Sequence, residues 1–146
     1  MERISIDEYF MEMCDLVAKR STCLRRQVGA VIVKDGNVVS TGYNGAPIGV
    51  EHCLDVGCIR NKLNIPSGTQ HELCNAAHAE QNAIVQCAYH GKSSKDSTIY
   101  INAQPCIICA KMIINAGIKK VIYKGEYPDP NALEMLKKGG VEVVKY

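Results

Sequence analysis

The chain has 146 residues, 47% of them hydrophobic, enough for a single core, and it reads as one domain over 1–146. A net charge of only +2 argues against tRNA or DNA as the main partner, and no apolar run reaches the length of a membrane span. No nucleic-acid and no membrane partner is therefore expected, and with no targeting segment ahead of the first helix the expected location is cytoplasmic.

Met1-Glu2-Arg3-Ile4-Ser5 leads into a predicted helix over 6–19, capped near Ser5. Two strands follow, over 28–34 and 38–43. They are joined through Lys34-Asp35-Gly36-Asn37, where Asp-Gly between apolar runs marks a hairpin. The stretch 46–75 has little apolar periodicity and reads as an insertion. From 74 to 90 the alanine-rich segment reads as a helix with an apolar stripe. Thr98-Ile99-Tyr100-Ile101-Asn102 is β-branched and aromatic and reads as a buried strand, after which Pro105 is expected at the first turn of a helix. A strand over 120–123, a helix over 131–138 and a strand over 141–144 complete the order. Strands alternating with helices indicate an α/β domain whose central sheet is covered on both faces.

Two of these helices carry the chemistry near their starts: His78-Ala79-Glu80 on one and Pro105-Cys106-Ile107-Ile108-Cys109 on the other. Cys106 and Cys109 are one turn apart, so both sulfurs can face one ion. His78, Cys106 and Cys109 supply three ligands for a catalytic zinc. Such a set leaves a fourth position open and lowers the pKa of a water there to about 7. A Cys-x-x-Cys alone could equally be a redox pair or half of a structural zinc site. Its joint occurrence with His-x-Glu selects the catalytic reading, because a closed structural cage has no use for a carboxylate two residues from a ligand. The combination is the signature of zinc nucleobase deaminases. Glu80 is then the proton carrier, taking a proton from water and delivering protons to N3 of a cytosine ring and to the departing ammonia.

Beyond these motifs the chain resembles deoxycytidylate (dCMP) deaminases of the bacterial and phage type that includes the late-competence proteins, within the cytidine deaminase superfamily. The resemblance runs through Arg20-Ser21-Thr22-Cys23, Val28-Gly29-Ala30-Val31-Ile32-Val33, Gly42-Tyr43-Asn44-Gly45, His78-Ala79-Glu80-Gln81-Asn82-Ala83-Ile84 and Ala116-Gly117-Ile118-Lys119-Lys120-Val121. It implies a three-layer α/β/α cytidine-deaminase fold around a five-stranded mixed sheet. It implies conversion of dCMP to dUMP for thymidylate synthesis, with dCTP and dTTP with Mg2+ as possible effectors, and a homo-oligomer, a hexamer being favoured. It also places Asn44 against sugar and base and Tyr127 near sugar and phosphate, with Ala79 a further substrate contact. Some relatives carry an arginine for phosphate nine residues after the glutamate, where this chain has Tyr89. Arg25 and Arg26 are the nearest basic residues; Arg25 is the candidate phosphate contact, because an arginine fork suits phosphate, and Arg26 reads as a solvated side chain.

Eight cysteines exceed what one catalytic site uses. Cys14 and Cys87 fall among apolar residues and read as buried small hydrophobes. Cys23, Cys53, His71 and Cys74 fall in loops flanking the core, the last three within the insertion, and are the candidate ligands of a second, structural zinc, with Cys58 as the alternative fourth ligand. A loop of that length needs a function or a staple, and some related deaminases hold a second zinc nearby. Two other functions stay open: deamination of another base or nucleotide (dCTP, tRNA adenosine, guanine), and a non-catalytic zinc module of a competence system.

Overall fold

The computed structural model describes residues 1–126 and 129–146. Its order is α1 (Ile6–Ala18), β1 (Gly29–Lys34), β2 (Asn37–Tyr43), α2 (Cys53–Val56), α3 (Ile59–Lys62), α4 (Ala79–Tyr89), β3 (Thr98–Ile101), α5 (Ile107–Asn115), β4 (Lys120–Tyr123), α6 (Pro130–Lys138) and β5 (Glu142–Lys145). The five strands form one mixed sheet in the order β2-β1-β3-β4-β5. β1 runs antiparallel to β2 and β3, whereas β3, β4 and β5 are parallel. This is the α/β/α cytidine-deaminase architecture expected from the sequence, and the boundaries of α1, β1, β2, β4, α6 and β5 agree with expectation to within one residue.

The two-residue period of the strands divides the core into two layers. Val31, Val33, Tyr100 and Ile122 point to one face, where Phe10, Met11 and Cys14 of α1 cover them. Ala30, Ile32, Ile99, Ile101, Val121 and Tyr123 point to the other, under α4, α5 and α6. Ser5 Oγ accepts from the Glu8 N–H at 3.1 Å, which starts α1, and the Tyr100 hydroxyl donates to Asp7 at 2.6 Å, which fastens that helix to β3. The β1–β2 turn has positive φ at both Asp35 and Gly36, 52° and 75°, the twist-matched hairpin that Asp-Gly predicts.

Two helix starts differ from the sequence reading. The predicted helix over 74–90 begins at Ala79, because Ala77 spends its backbone groups on a bridge to Gly45: Ala77 N–H to Gly45 O at 2.9 Å and Gly45 N–H to Ala77 O at 3.1 Å. His78 therefore caps the helix instead of lying inside it. Likewise Pro105 stands before the cap Cys106, and α5 starts at Ile107. Both shifts move metal-ligand candidates from helix interior to helix cap. The insertion is not structureless, since α2, α3 and a 3-10 turn at His71–Leu73 break it up.

Register explains why the site forms where it does. Ala30 pairs with Ile101 and Gly29 with Tyr43, so the start of β1 and the ends of β2 and β3 share one edge of the sheet. Asn44, Val28 and the loop to Cys106 all leave from that edge. Gly42 lets α4 press onto it: a Cβ there would lie 2.3 Å from Ala79 O and 2.4 Å from Ala83 N. Gly42→Ala must push back the helix that carries Glu80. Overpacking against rigid backbone is expected to cost roughly 3 kcal/mol and about 10 °C in Tm. A thermal melt checks this; an unchanged midpoint would show that α4 is free to move.

Candidate active site

Cys106 and Cys109 come from the start of α5, and His78 from the cap of α4. His78 Nδ1 lies 3.3 Å from Cys109 Sγ and 3.5 Å from Cys106 Sγ. All three ligand atoms fall within 4.8 Å of one another, the one such group of three or more His, Cys, Asp or Glu among the described residues. In a tetrahedral zinc site with Zn–N near 2.0 Å and Zn–S near 2.3 Å, the N···S edge is about 3.5 Å. The spacing and the soft donor set fit zinc. Three ligands leave one corner, and the adjoining cavity is lined by His78, Glu80, Asn44, Ala79 and Cys106.

The local structure holds these donors firmly. The His78 N–H donates to Gln81 Oε1 at 2.7 Å, which closes the first turn of α4. Asp129 ties two helix starts together: Oδ2 accepts from the Ile107 N–H at 3.1 Å and Oδ1 from the Ala132 N–H at 3.2 Å. Its carbonyl also accepts from Gln104 Nε2 at 2.8 Å, just before Pro105. Asp129 was not among the expected site residues, although Asp-Pro ahead of a helix is a readable capping signal.

Electrostatics favour metal binding by the sulfurs. The Cys109 thiol hydrogen-bonds to Cys106, and that bond, with help from His78 and despite burial, pulls Cys106 down to about 3. Cys109, which supplies the bond and is buried, is pushed up. The pair thus holds one thiolate readily, and a dication lowers the cost of the second. The hydrogen bond to Cys106 raises His78. Glu80 is 5% exposed, and burial raises its carboxyl above the usual range, with the positive His78 ring opposing. Raising the carboxyl makes Glu80 a stronger base toward water, the direction proton transfer needs.

Other expected residues fall around this centre. Ala79 is the first helical residue of α4, so its N–H has no intrahelical partner. Asn44 is buried, with Oδ1 accepting from the Val28 N–H at 2.9 Å and Nδ2 donating to Arg26 O at 2.8 Å. Its amide is fixed at the cavity wall with one N–H and one lone pair to spare. Arg25 also lines the cavity, while Arg26 reaches the same rim but is exposed. Tyr127 lies outside the described residues. Tyr89, where some relatives carry arginine, is 80% exposed.

The second metal set is looser. Burial pushes up the Cys53 thiol, and Cys23, Cys58 and Cys74 sit close enough for each to raise it further. His71 instead turns to the first centre, its ring edge-on to His78 at 4.9 Å between centroids. Burial first, then the charge of His78, lowers it, and its Nδ1 is buried without a partner among the described residues. Arg60 also faces the cavity, at 7% exposure, and no feature of the sequence reading pointed to it.

Residues 4–124 match the family described as cytidine and deoxycytidylate deaminase zinc-binding region. ComE operon protein 2 of Bacillus subtilis is 43% identical over 144 residues, 98% of this chain and 72% of that protein. The deoxycytidylate deaminase of Schizosaccharomyces pombe is 38% identical over 145 residues; the match takes in 99% of this chain but 45% of the yeast protein. Among solved structures, the dCMP deaminase of cyanophage S-TIM5 in complex with dCMP and dUMP aligns over 100% of both chains, with 34% identity and a TM-score of 0.81.

Proposed function

The chain belongs to the cytidine and deoxycytidylate deaminases with a zinc-binding region, and from that premise we propose that it converts dCMP and water to dUMP and ammonia. The observation that carries the reading is the convergence of His78, Cys106 and Cys109 within 4.8 Å beside a buried carboxyl, Glu80. When bound there, zinc supplies Lewis acidity at an open fourth position, enough to bring the pKa of a water to about 7. Glu80 takes the proton of the attacking water and passes it to N3 of the ring. It then takes the proton of the new C4 hydroxyl and gives it to the amine; the C4–N bond breaks, ammonia leaves and the C4 carbonyl forms. Burial of Glu80 suits both halves, because the neutral acid it must become is the form its surroundings favour.

The remaining contacts follow from position. The unpaired Ala79 N–H is available to the base, and the fixed amide of Asn44 to base and sugar. A non-catalytic zinc module would not need a carboxyl buried at the open corner of its metal site. The nucleotide substrate is tested by comparing dCMP with deoxycytidine. We expect kcat/KM for dCMP to be at least about 100-fold higher, the value of a few charge-assisted hydrogen bonds to phosphate. Equal efficiency would remove the monophosphate from the reading.

A structural zinc on Cys23, Cys53, Cys58 and Cys74 is the second part of this proposal. The closeness of Cys23, Cys58 and Cys74 to the Cys53 thiol, which each of them raises, supports it, and the orientation of His71 toward His78 supports Cys58 over His71 as fourth ligand. Metal analysis should give about two zinc per chain, falling to about one in Cys58→Ser and staying at about two in His71→Ala. One zinc in the unmodified protein would retire the second site.

A homo-oligomer, with the hexamer as the favoured form, is supported by apolar side chains left exposed beside the edge strand β2 and on α4: Ile48 at 98%, Tyr89 at 80% and Val85 at 52%. Control by dCTP and dTTP with Mg2+ rests on the resemblance to the family. The eight free thiols suit a reducing, cytoplasmic setting. Among the described residues no helix is long and apolar enough to cross a membrane.

A further inference from the structure

We propose that Arg60 of the insertion, paired with Arg25, forms the subsite that takes the phosphate of the substrate. The inference rests on the nucleotide reading above and names the residues that would make it specific.

Both guanidinium groups hang from one turn. Arg25 Nη2 donates to Ile65 O at 2.8 Å and to Ser67 Oγ at 3.2 Å, and Arg60 Nη2 donates to Pro66 O at 3.3 Å. The Ile65 N–H closes the loop by donating to Arg60 O at 2.8 Å. Neighbouring carbonyls of this turn thus hold both cations, and both line the same cavity. Each retains a buried nitrogen without a partner among the described residues, Nη1 of Arg25 and Nε of Arg60. Arg60 is only 7% exposed.

Among the described residues no carboxylate neutralises either group. The ion pairs found there join lysines to acidic side chains, and neither arginine takes part. Burying a charge without a counter-charge is unfavourable, and two like charges on one turn are worse. Such an arrangement is stable in a site that an anion completes. Both arginines line the cavity that also holds His78 and Glu80, so the anion belongs to the molecule whose ring is deaminated. A phosphate monoester carries up to two negative charges and three acceptor oxygens, which two guanidinium forks can share. Arginine is required for this because a lysine offers a point charge and no fork.

The test compares the unmodified protein with Arg60→Ala on dCMP and on deoxycytidine, and titrates inorganic phosphate into both proteins by calorimetry. Loss of two charge-assisted bonds should lower kcat/KM for dCMP roughly 100-fold, with deoxycytidine within about twofold of the unmodified protein. Phosphate binding should weaken at least about tenfold in the variant. Equal loss on both substrates, or phosphate binding equal in both proteins, would overturn the subsite and make Arg60 a support for the turn. Should the unmodified protein itself fail to prefer dCMP, the nucleotide reading falls, while loss of phosphate binding in Arg60→Ala still supports an anion subsite. If Arg60→Ala does not fold, Arg60→Lys keeps the charge and loses the fork. It should reduce the preference for dCMP about tenfold, and an unchanged preference would overturn the proposal.

Discussion

Glu80→Gln is expected to lose about 10³- to 10⁴-fold in kcat while keeping its zinc, its melting temperature and its KM within a few-fold. A positioned acid–base group contributes this much when it transfers one proton, and here a single carboxyl must both accept from water and donate to N3 and the amine. Glutamine has nearly the same shape and can still hydrogen-bond, but it cannot carry a proton. The fold should accept it, since burial already disfavours the ionised carboxylate at a position only 5% exposed. The three readouts separate the causes. A fall in kcat with zinc retained assigns proton transfer to Glu80, whereas a parallel loss of zinc would show that the carboxyl supports the metal site. Turnover within about tenfold of the unmodified protein would remove Glu80 from the role, because another group would then have to carry the proton.

The residues that sequence reading found are those whose geometry is local. Cys106 and Cys109 are one turn apart on any helix, and His78 and Glu80 are two residues apart on another, so each motif presets half of the centre. Bringing the halves together needs only a strand between them and a parallel return, and β3, α5 and β4 supply it. The unbroken apolar runs over 29–33 in β1 and 99–101 in β3 likewise announce strands buried on both faces.

What stayed hidden depends on contacts distant in sequence. Ala77 reads as helix by composition, yet it pairs with Gly45, and this long-range bridge decides that His78 is a cap. Arg60 lies in a segment with neither period, on a helix of one turn; its guanidinium donates to the Pro66 carbonyl, in a turn that Arg25 reaches from across the chain through the Ile65 carbonyl. The spacing of the insertion's cysteines does not say which of them meet. The sequence reading puts His71 ahead of Cys58 as fourth ligand, and the contact of the His71 ring with His78 is one that spacing does not show.

Cys109→Ala is the second change with a large expected effect, and it should fail differently from Glu80→Gln. Cys109 is wholly buried, and its sulfur lies 3.3 Å from His78 Nδ1, at the point where α4 and α5 meet. Alanine keeps the helix, because it is the best helix former and removes only one buried sulfur. It leaves two ligands, His78 and Cys106, which cannot close a zinc site against competing chelators. Activity should fall by at least about 10⁴-fold, since both the Lewis acid and the placement of the attacking water go with the ion. Zinc content should drop by about one per chain and no further, as the thiols of Cys23, Cys53, Cys58 and Cys74 are untouched. Complete loss of zinc would mean that the two sites are not independent. Retained zinc with retained turnover would mean that His78, Cys106 and Cys109 are not the ligand set, and the deaminase chemistry would have to be assigned elsewhere in the fold.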